Sequence, residues 1–372
     1  MTITALLMIG EEGPELAAQW VAQGRLAAAE DALTLLQTLP GLTQVVIATP
    51  TQDLPHRYPH WPGQWDFDTP GPAFHFGQRL AELIARYPAD IFLYLGAGSL
   101  PLLSRETLAA CVAEVTASAT PLALTNNRLS SDWLVCNTPA ALAAHAHRLP
   151  RDNMLGWVLQ NEAGLTVRDL PASAATRLDI DTPADLLLLR LHPRTPPALA
   201  AYLQAAAPAN TAWSRLRPIV FTPGQRLTLI GRVAPAVWQR VNARARLWVR
   251  VFSEERGMNA SGRQDTGGVR SLIADYLTRL GPAAFFDTLA TMTDAVVFDT
   301  RVALAHRGVW PSAADRYASD LGWPDHIADP FLRALTEAAL IAPMPVVLGG
   351  HSVVSGDLYG LLELGEVSPH RA

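Results

Sequence analysis

Short apolar runs alternate along the first half of the chain with longer stretches whose apolar residues recur at helical spacing. That alternation predicts strands joined by crossover helices in a mainly parallel sheet. Thr4 to Ile9 reads as a first strand, Glu15 to Leu39 as a helix, and Gln44 to Ala48 as a second strand closed by Thr49-Pro50. The Pro-, His- and Trp-rich segment from Asp53 to Pro72 reads as a loop. Phe76 to Tyr87 follows as a helix and Asp90 to Leu95 as a buried strand that breaks at Gly96-Ala97-Gly98. A helix from Arg105, a strand from Pro121 to Thr125 and a helix from Pro183 to Leu191 complete the pattern.

The run His192-Pro193-Arg194-Thr195-Pro196-Pro197 interrupts this alternation. It places a domain boundary between residues 1–195 and 196–372. Beyond it, Leu247 to Phe252 alternates as a strand, Ala295 to Phe298 is a short apolar strand, and Met344 to Leu348 is the last. Helices are expected at Val269 to Leu280, after Ser312 as N-cap with Asp315 three residues on, and at Tyr359 to Leu364. The expected fold is α/β: a mainly parallel, three-layer domain followed by a second α/β domain.

Composition narrows the chemistry. The 372 residues are 49% apolar with a net charge of −5, enough to bury two cores and incompatible with a disordered or disulfide-stapled chain. Only Cys111 and Cys136 are present, so a cysteine metal cluster is excluded. All 29 basic residues are Arg, which removes every lysine-nucleophile or Schiff-base mechanism. Residues 1–195 hold 19 acidic and 12 Arg side chains, whereas residues 196–372 hold 15 and 17. The Arg excess lies between Arg215 and Arg256, and its apolar alternation suits amphipathic elements with solvated Arg faces better than nucleic-acid binding. No signal-type start or membrane-length apolar run is seen, so a cytoplasmic protein is expected.

In open parallel sheets ligands lie beyond the carboxyl ends of the strands. There the order of motifs resembles the MobA-like nucleotidyltransferases, which include molybdenum-cofactor and phospholactate guanylyltransferases. The resemblance rests on a glycine turn after the first strand, Ala48-Thr49-Pro50, and Gly96-x-x-x-Leu100-Pro101-Leu102-Leu103. It ends on Leu178-Asp179-Ile180-Asp181-Thr182-Pro183-Ala184-Asp185-Leu186 and covers about the first 190 residues. It implies a nucleotide-diphospho-sugar-transferase-like domain, a nucleotide or phosphorylated small molecule as partner, and Mg²⁺ held by Asp179 and Asp181 if transfer is retained. Gly10, Gly13, Arg25, Gly98 and Ser99 are then the candidate phosphate contacts, and Asn126 and Arg128 either recognise base or sugar or build a turn. Asp181-Thr182-Pro183 with Asp185 also reads as a helix start without any ligand.

Two departures bear on activity. Active members carry a Gly-Gly-x-Ser-x-Arg-Met-Gly-x-x-Lys loop, where this chain has Ile9-Gly10-Glu11-Glu12-Gly13-Pro14-Glu15. The family's metal-binding Asp follows the buried strand, where this chain has Gly96-Ala97-Gly98-Ser99. Unlike charges about 4 Å apart attract by roughly 4 kcal/mol at an effective dielectric near 20, so both changes oppose metal-assisted transfer. The fold is expected to persist without the family's reaction.

The second half resembles no named family. Its Gly- and Ser-rich segment Ser253 to Ser271, with Arg270, has the composition that wraps anions at a helix start. Asp299, Arg301 and His306 follow an apolar strand, and Gly349-Gly350-His351-Ser352 follows the last one. Asp299, His306 and His351 are the candidate acid–base groups alongside Asp179. Arg270, Arg301, Gly349, Gly350 and Ser352 are candidate anion contacts. No membrane partner is expected, and assembly into a homo-oligomer stays open.

Overall fold

The computed structural model describes residues 1–11, 13–71, 73–206 and 208–365. The chain divides into two compact units. One comprises Met1–Glu12, Gln23–Asp179 and Pro196–Leu199; the other comprises Gly13–Ala22, Ile180–Thr195 and the chain from Ala200 onward. The segment carrying Asp181 to Asp185 thus groups with the second unit, although the Pro-rich break had placed it in the first.

The first unit is built on a seven-stranded sheet in the order β3-β2-β1-β4-β6-β5-β7. Its strands are β1 (Ile3–Met8), β2 (Leu42–Thr49), β3 (Gln64–Phe67), β4 (Ile91–Gly96), β5 (Leu122–Thr125), β6 (Trp133–Cys136) and β7 (Thr166–Asp169). All neighbours run parallel except β6, which is antiparallel to both β4 and β5. The central strands are apolar on both faces, as a sheet covered on both sides requires. Ala5, Leu7, Ile47 and Leu93 pack one way against Leu26, Leu33 and Leu36 of α1 (Leu16–Gln37). Leu6, Val46, Phe92 and Tyr94 pack the other way against Phe76, Leu80 and Leu83 of α2 (Phe76–Arg86). Each fully buried Leu or Ile contributes about 1.5–3 kcal/mol, so this period-two division holds three layers together.

The expected loop from Asp53 to Pro72 instead contains a helical turn, Leu54–Arg57, and the edge strand β3. Its Asp66 is buried because Arg79 Nη2 (2.8 Å), Arg86 Nη1 (2.5 Å) and the Tyr87 hydroxyl (2.7 Å) all donate to its carboxylate. Those partners lie on or beside α2, distant in sequence, so no local pattern announces the strand.

The second unit has a four-stranded, all-parallel sheet in the order β11-β10-β8-β9. Its strands are β8 (Arg226–Gly231), β9 (Trp248–Ser253), β10 (Ala295–Asp299) and β11 (Val346–Gly349). Around it lie α3 (Pro183–Leu189), α4 (Leu272–Leu280), α5 (Ala313–Leu321) and α6 (Gly356–Glu363). The Ser312 hydroxyl accepts the Asp315 amide at 3.0 Å, as the capping pattern predicts. The Asp315 carboxylate does not complete the box. It accepts the amides of Ala328 (2.9 Å) and Asp329 (3.0 Å) instead.

Candidate functional site

In the first unit Met8 lies level with Ala48 of β2 and Gly96 of β4, so three loops leave the sheet together. They open a cavity of about 950 Å³ at the carboxyl end of the sheet. Gly10 lines it with nothing within 4 Å of where a Cβ would stand, which leaves its backbone open to a ligand. Across the loop before α2, Phe74 presents a ring on a residue that is 61% exposed. His75 caps α2 through Nδ1, which accepts the Gln78 amide at 3.4 Å. A neutral imidazole in that role carries its proton on Nε2, so the ring offers a donor. Below, the buried Tyr94 hydroxyl donates to Asp152 Oδ2 at 3.3 Å. Burial first, then Asp152 and Asp132, push the Tyr94 pKa well above 10, so it remains a donor.

The cavity wall is acidic. Glu11, Asp68, Glu82 and Asp152 line it, against Arg79 and Arg151. Arg79 is already neutralised: it binds Asp68 (2.7 Å) and Asp66 (2.8 Å), with Glu82 at 3.6 Å. Burial pushes the Asp66 carboxyl up, but Tyr87, Arg79 and Arg86 outweigh it and hold the group below the usual range. Among the described residues Arg151 has no carboxylate partner and is the one unpaired cation on the wall.

Of the residues expected here, Gly10 lines the cavity, as does Glu11. Glu12 lies outside the described residues, and Gly13 and Glu15 group with the second unit. Arg25 sits on α1 and is not on the wall. Gly98 and Ser99 are not on it either, and the Ser99 hydroxyl donates to the Asp132 carbonyl at 2.7 Å. Ala97, where the family carries Asp, is 8% exposed and packed in the apolar cluster with Leu95, Leu100 and Leu103. Asn126 and Arg128 build a turn. Asn126 Nδ2 donates to Asp132 (2.5 Å), and Arg128 donates to Gln160 (2.7 Å) and through its backbone to Asp169 (2.8 Å). Phe74, His75, Arg151 and Asp152 escaped the sequence reading. The cluster Pro72-Ala73-Phe74-His75-Phe76 was the available signal.

Among the described residues no three His, Cys, Asp or Glu side chains converge so as to hold a metal ion. Asp179 and Asp181 therefore belong to no such three-residue cluster.

In the second unit the candidate groups serve the fold. Asp299 is fully buried and accepts from Arg232 Nε (2.6 Å) and Nη2 (3.1 Å). Burial opposes its ionisation, but Arg232 prevails and holds its pKa below the usual value. Arg301 is not available to an anion: it is buried in a bidentate pair with Asp320 at 2.8 and 2.5 Å. His306 Nδ1 accepts the Ser271 amide (3.1 Å), and Arg270 Nη1 donates to the carbonyls of Gly267 (2.9 Å) and Val269 (2.7 Å). Gly349 is a packing glycine, since a Cβ there would stand 2.1 Å from Val353 Cγ1. Gly350 lies beside Thr182, whose Cγ2 would be 3.0 Å from such a Cβ. Ser352 is buried with its hydroxyl unpartnered. Of these residues His351 and Arg270 are exposed to solvent. Surrounding protein and then Arg232 lower the His351 pKa to about 4, so the imidazole is neutral at pH 7.

No protein-family model and no curated protein matches the chain. Among solved structures it is similar to a cytidylyltransferase from Leptospira borgpetersenii, at 17% identity over 55% of this chain and 94% of that one, with a TM-score of 0.40. It is similar to a nucleotidyl transferase from Methanothermobacter at 15% identity over 55% and 98% of the chains, TM-score 0.39. A 4-diphosphocytidyl-2C-methyl-D-erythritol synthase from Anaerococcus prevotii gives 12% identity over 54% and 98%, TM-score 0.37. No helix among the described residues is long and apolar enough to cross a membrane.

Proposed function

We propose that the first unit is a nucleotidyltransferase-like body that binds a nucleotide or phosphorylated metabolite in the cavity after β1, β2 and β4, without standard metal-assisted nucleotidyl transfer. The cavity itself supports binding: it lies where open parallel sheets take ligands, with the Gly10 backbone bare and an exposed aromatic ring facing it. The MobA-like motifs are in keeping with the nucleotide. One observation supports the loss of transfer: the position of the family's metal-binding Asp is Ala97, sealed in an apolar cluster. Glu11 stands on the wall, and no lysine exists to offset it.

The test measures nucleotide binding and pyrophosphate release with the full chain, Mg²⁺ and a panel of phosphorylated acceptors. Binding without turnover is the expected outcome. Pyrophosphate release would overturn the second half of the reading, and absence of any nucleotide binding would overturn the first.

A further inference from the structure

We propose that the cavity of the first unit selects ligands bearing a single phosphate, nucleoside monophosphates in particular, over the corresponding triphosphates, with Arg151 as the phosphate contact and Glu11 as the excluding group. This rests on the nucleotide-binding reading and adds the charge state of the ligand.

The argument is one of charge placement. A triphosphate brings several negative charges and needs them matched by cations, metal or aligned amides. Arg79 cannot supply that match, because its guanidinium is divided among Asp66, Asp68 and Glu82. Arg151 is exposed and has no carboxylate partner among the described residues, so one phosphate can be met with one cation. A longer polyphosphate would bring its further charges onto a wall that also carries Glu11 and Asp152. At equal separation like charges repel as strongly as unlike ones attract. At the nucleoside end nothing opposes binding. Phe74 offers a stacking surface and His75 a donor.

The experiment is titration calorimetry on the full chain with guanosine, GMP and GTP and with the cytidine series, each with and without Mg²⁺. The monophosphate should bind about 10-fold or more tighter than the triphosphate of the same base, and added salt should narrow the gap because screening weakens exposed charges. Arg151→Ala should reduce monophosphate affinity to that of the nucleoside and leave the nucleoside unchanged. Glu11→Gln should tighten the triphosphate selectively. Both side chains are exposed, so neither variant threatens folding. Triphosphate binding tighter than monophosphate, or equal loss of nucleoside and monophosphate in Arg151→Ala, would overturn the selectivity while sparing the nucleotide reading. Failure of every member of both series to bind would remove both.

Discussion

Asp185 and Asp357 meet carboxyl to carboxyl inside the second unit, and neither has any surface open to solvent (0% each). One oxygen of Asp185 is fully used: Oδ2 accepts the amides of Asp181 (2.8 Å) and Thr182 (2.5 Å) and the Thr182 hydroxyl (3.1 Å). Its Oδ1, both oxygens of Asp357 and the Ser352 hydroxyl have no hydrogen-bond partner. Two carboxylates this close in a dry interior cannot both ionise, so the pair holds a proton. It thereby joins the helix start at Asp181-Thr182-Pro183 to the first turn of α6.

This relationship fixes a pH dependence. Burial first, then Asp181, raises the Asp185 pKa to about 6, and burial with Asp185 raises Asp357 well above the usual range. An acid whose folded pKa is raised binds more protons folded than unfolded. Its contribution is therefore present below the unfolded value near 3.8 and is lost as pH rises through about 6 and beyond. For Asp185 alone the loss is roughly 3 kcal/mol, and the pair titrates jointly. Asp357→Asn supplies a permanent donor to Asp185 and should flatten this limb. Urea denaturation at pH 5 and pH 8 should show the variant gaining on the native chain as pH rises; a constant difference would refute the shared proton.

The first unit should respond with the opposite sign. Asp66 is held below its usual pKa by Tyr87, Arg79 and Arg86 against the effect of burial. Its contribution is present above about pH 4 and is lost as pH falls through the folded value. Asp66→Asn should cost about 3 kcal/mol at pH 7, because charged hydrogen bonds are lost and the buried Arg79 keeps less compensation. Denaturation from pH 7 down to pH 3 should show that cost shrinking.

Arg301 offers a test between an anion contact and a structural pair. Removing one partner of a buried ion pair leaves the other uncompensated at about 3–5 kcal/mol, whereas replacing both with apolar residues can be close to neutral. Arg301→Met should therefore destabilise strongly, and Arg301→Met with Asp320→Leu should recover most of the loss. A double-mutant cycle by chemical denaturation measures this. If instead Arg301→Met left stability intact and abolished phosphate binding, Arg301 would be a ligand contact after all.

How much of this could be seen in the sequence depended on where each partner lay. The central strands, from Ile3 to Met8 and from Ile91 to Gly96, were legible because burial on both faces forces an uninterrupted apolar run. The Ser312 cap was legible because its partner is three residues away. Strand β3 was not, since Asp66 is made tolerable by Arg79, Arg86 and Tyr87 at sequence distances of 13 to 21. The same holds for the site. Glycines and carboxylates after β1 could be read directly, but the neutralisation of Arg79 and of Arg301 is a three-dimensional fact. A motif shows which charges are present; only the fold shows which remain unspent.

Ala97→Asp tests the proposed absence of metal-assisted transfer most directly. Residue 97 is held by its amide, which donates to the Met8 carbonyl at 2.9 Å, and its side chain belongs to the apolar cluster that includes Leu95, Leu100 and Leu103. A carboxylate placed there enters an apolar cluster with no cation, and it should destabilise by about 3 kcal/mol or more at pH 7. Its pKa should rise, so the deficit should ease as pH falls toward 4 and the group protonates. No gain in affinity for Mg²⁺ or Mn²⁺ is expected, because the remaining ligands are not assembled. Manganese titration followed by electron paramagnetic resonance, run beside urea denaturation, separates the outcomes. A stable variant that captures manganese and releases pyrophosphate from GTP or CTP would mean that one substitution suffices for metal-assisted transfer, and that the apolar packing around residue 97 was no barrier to it.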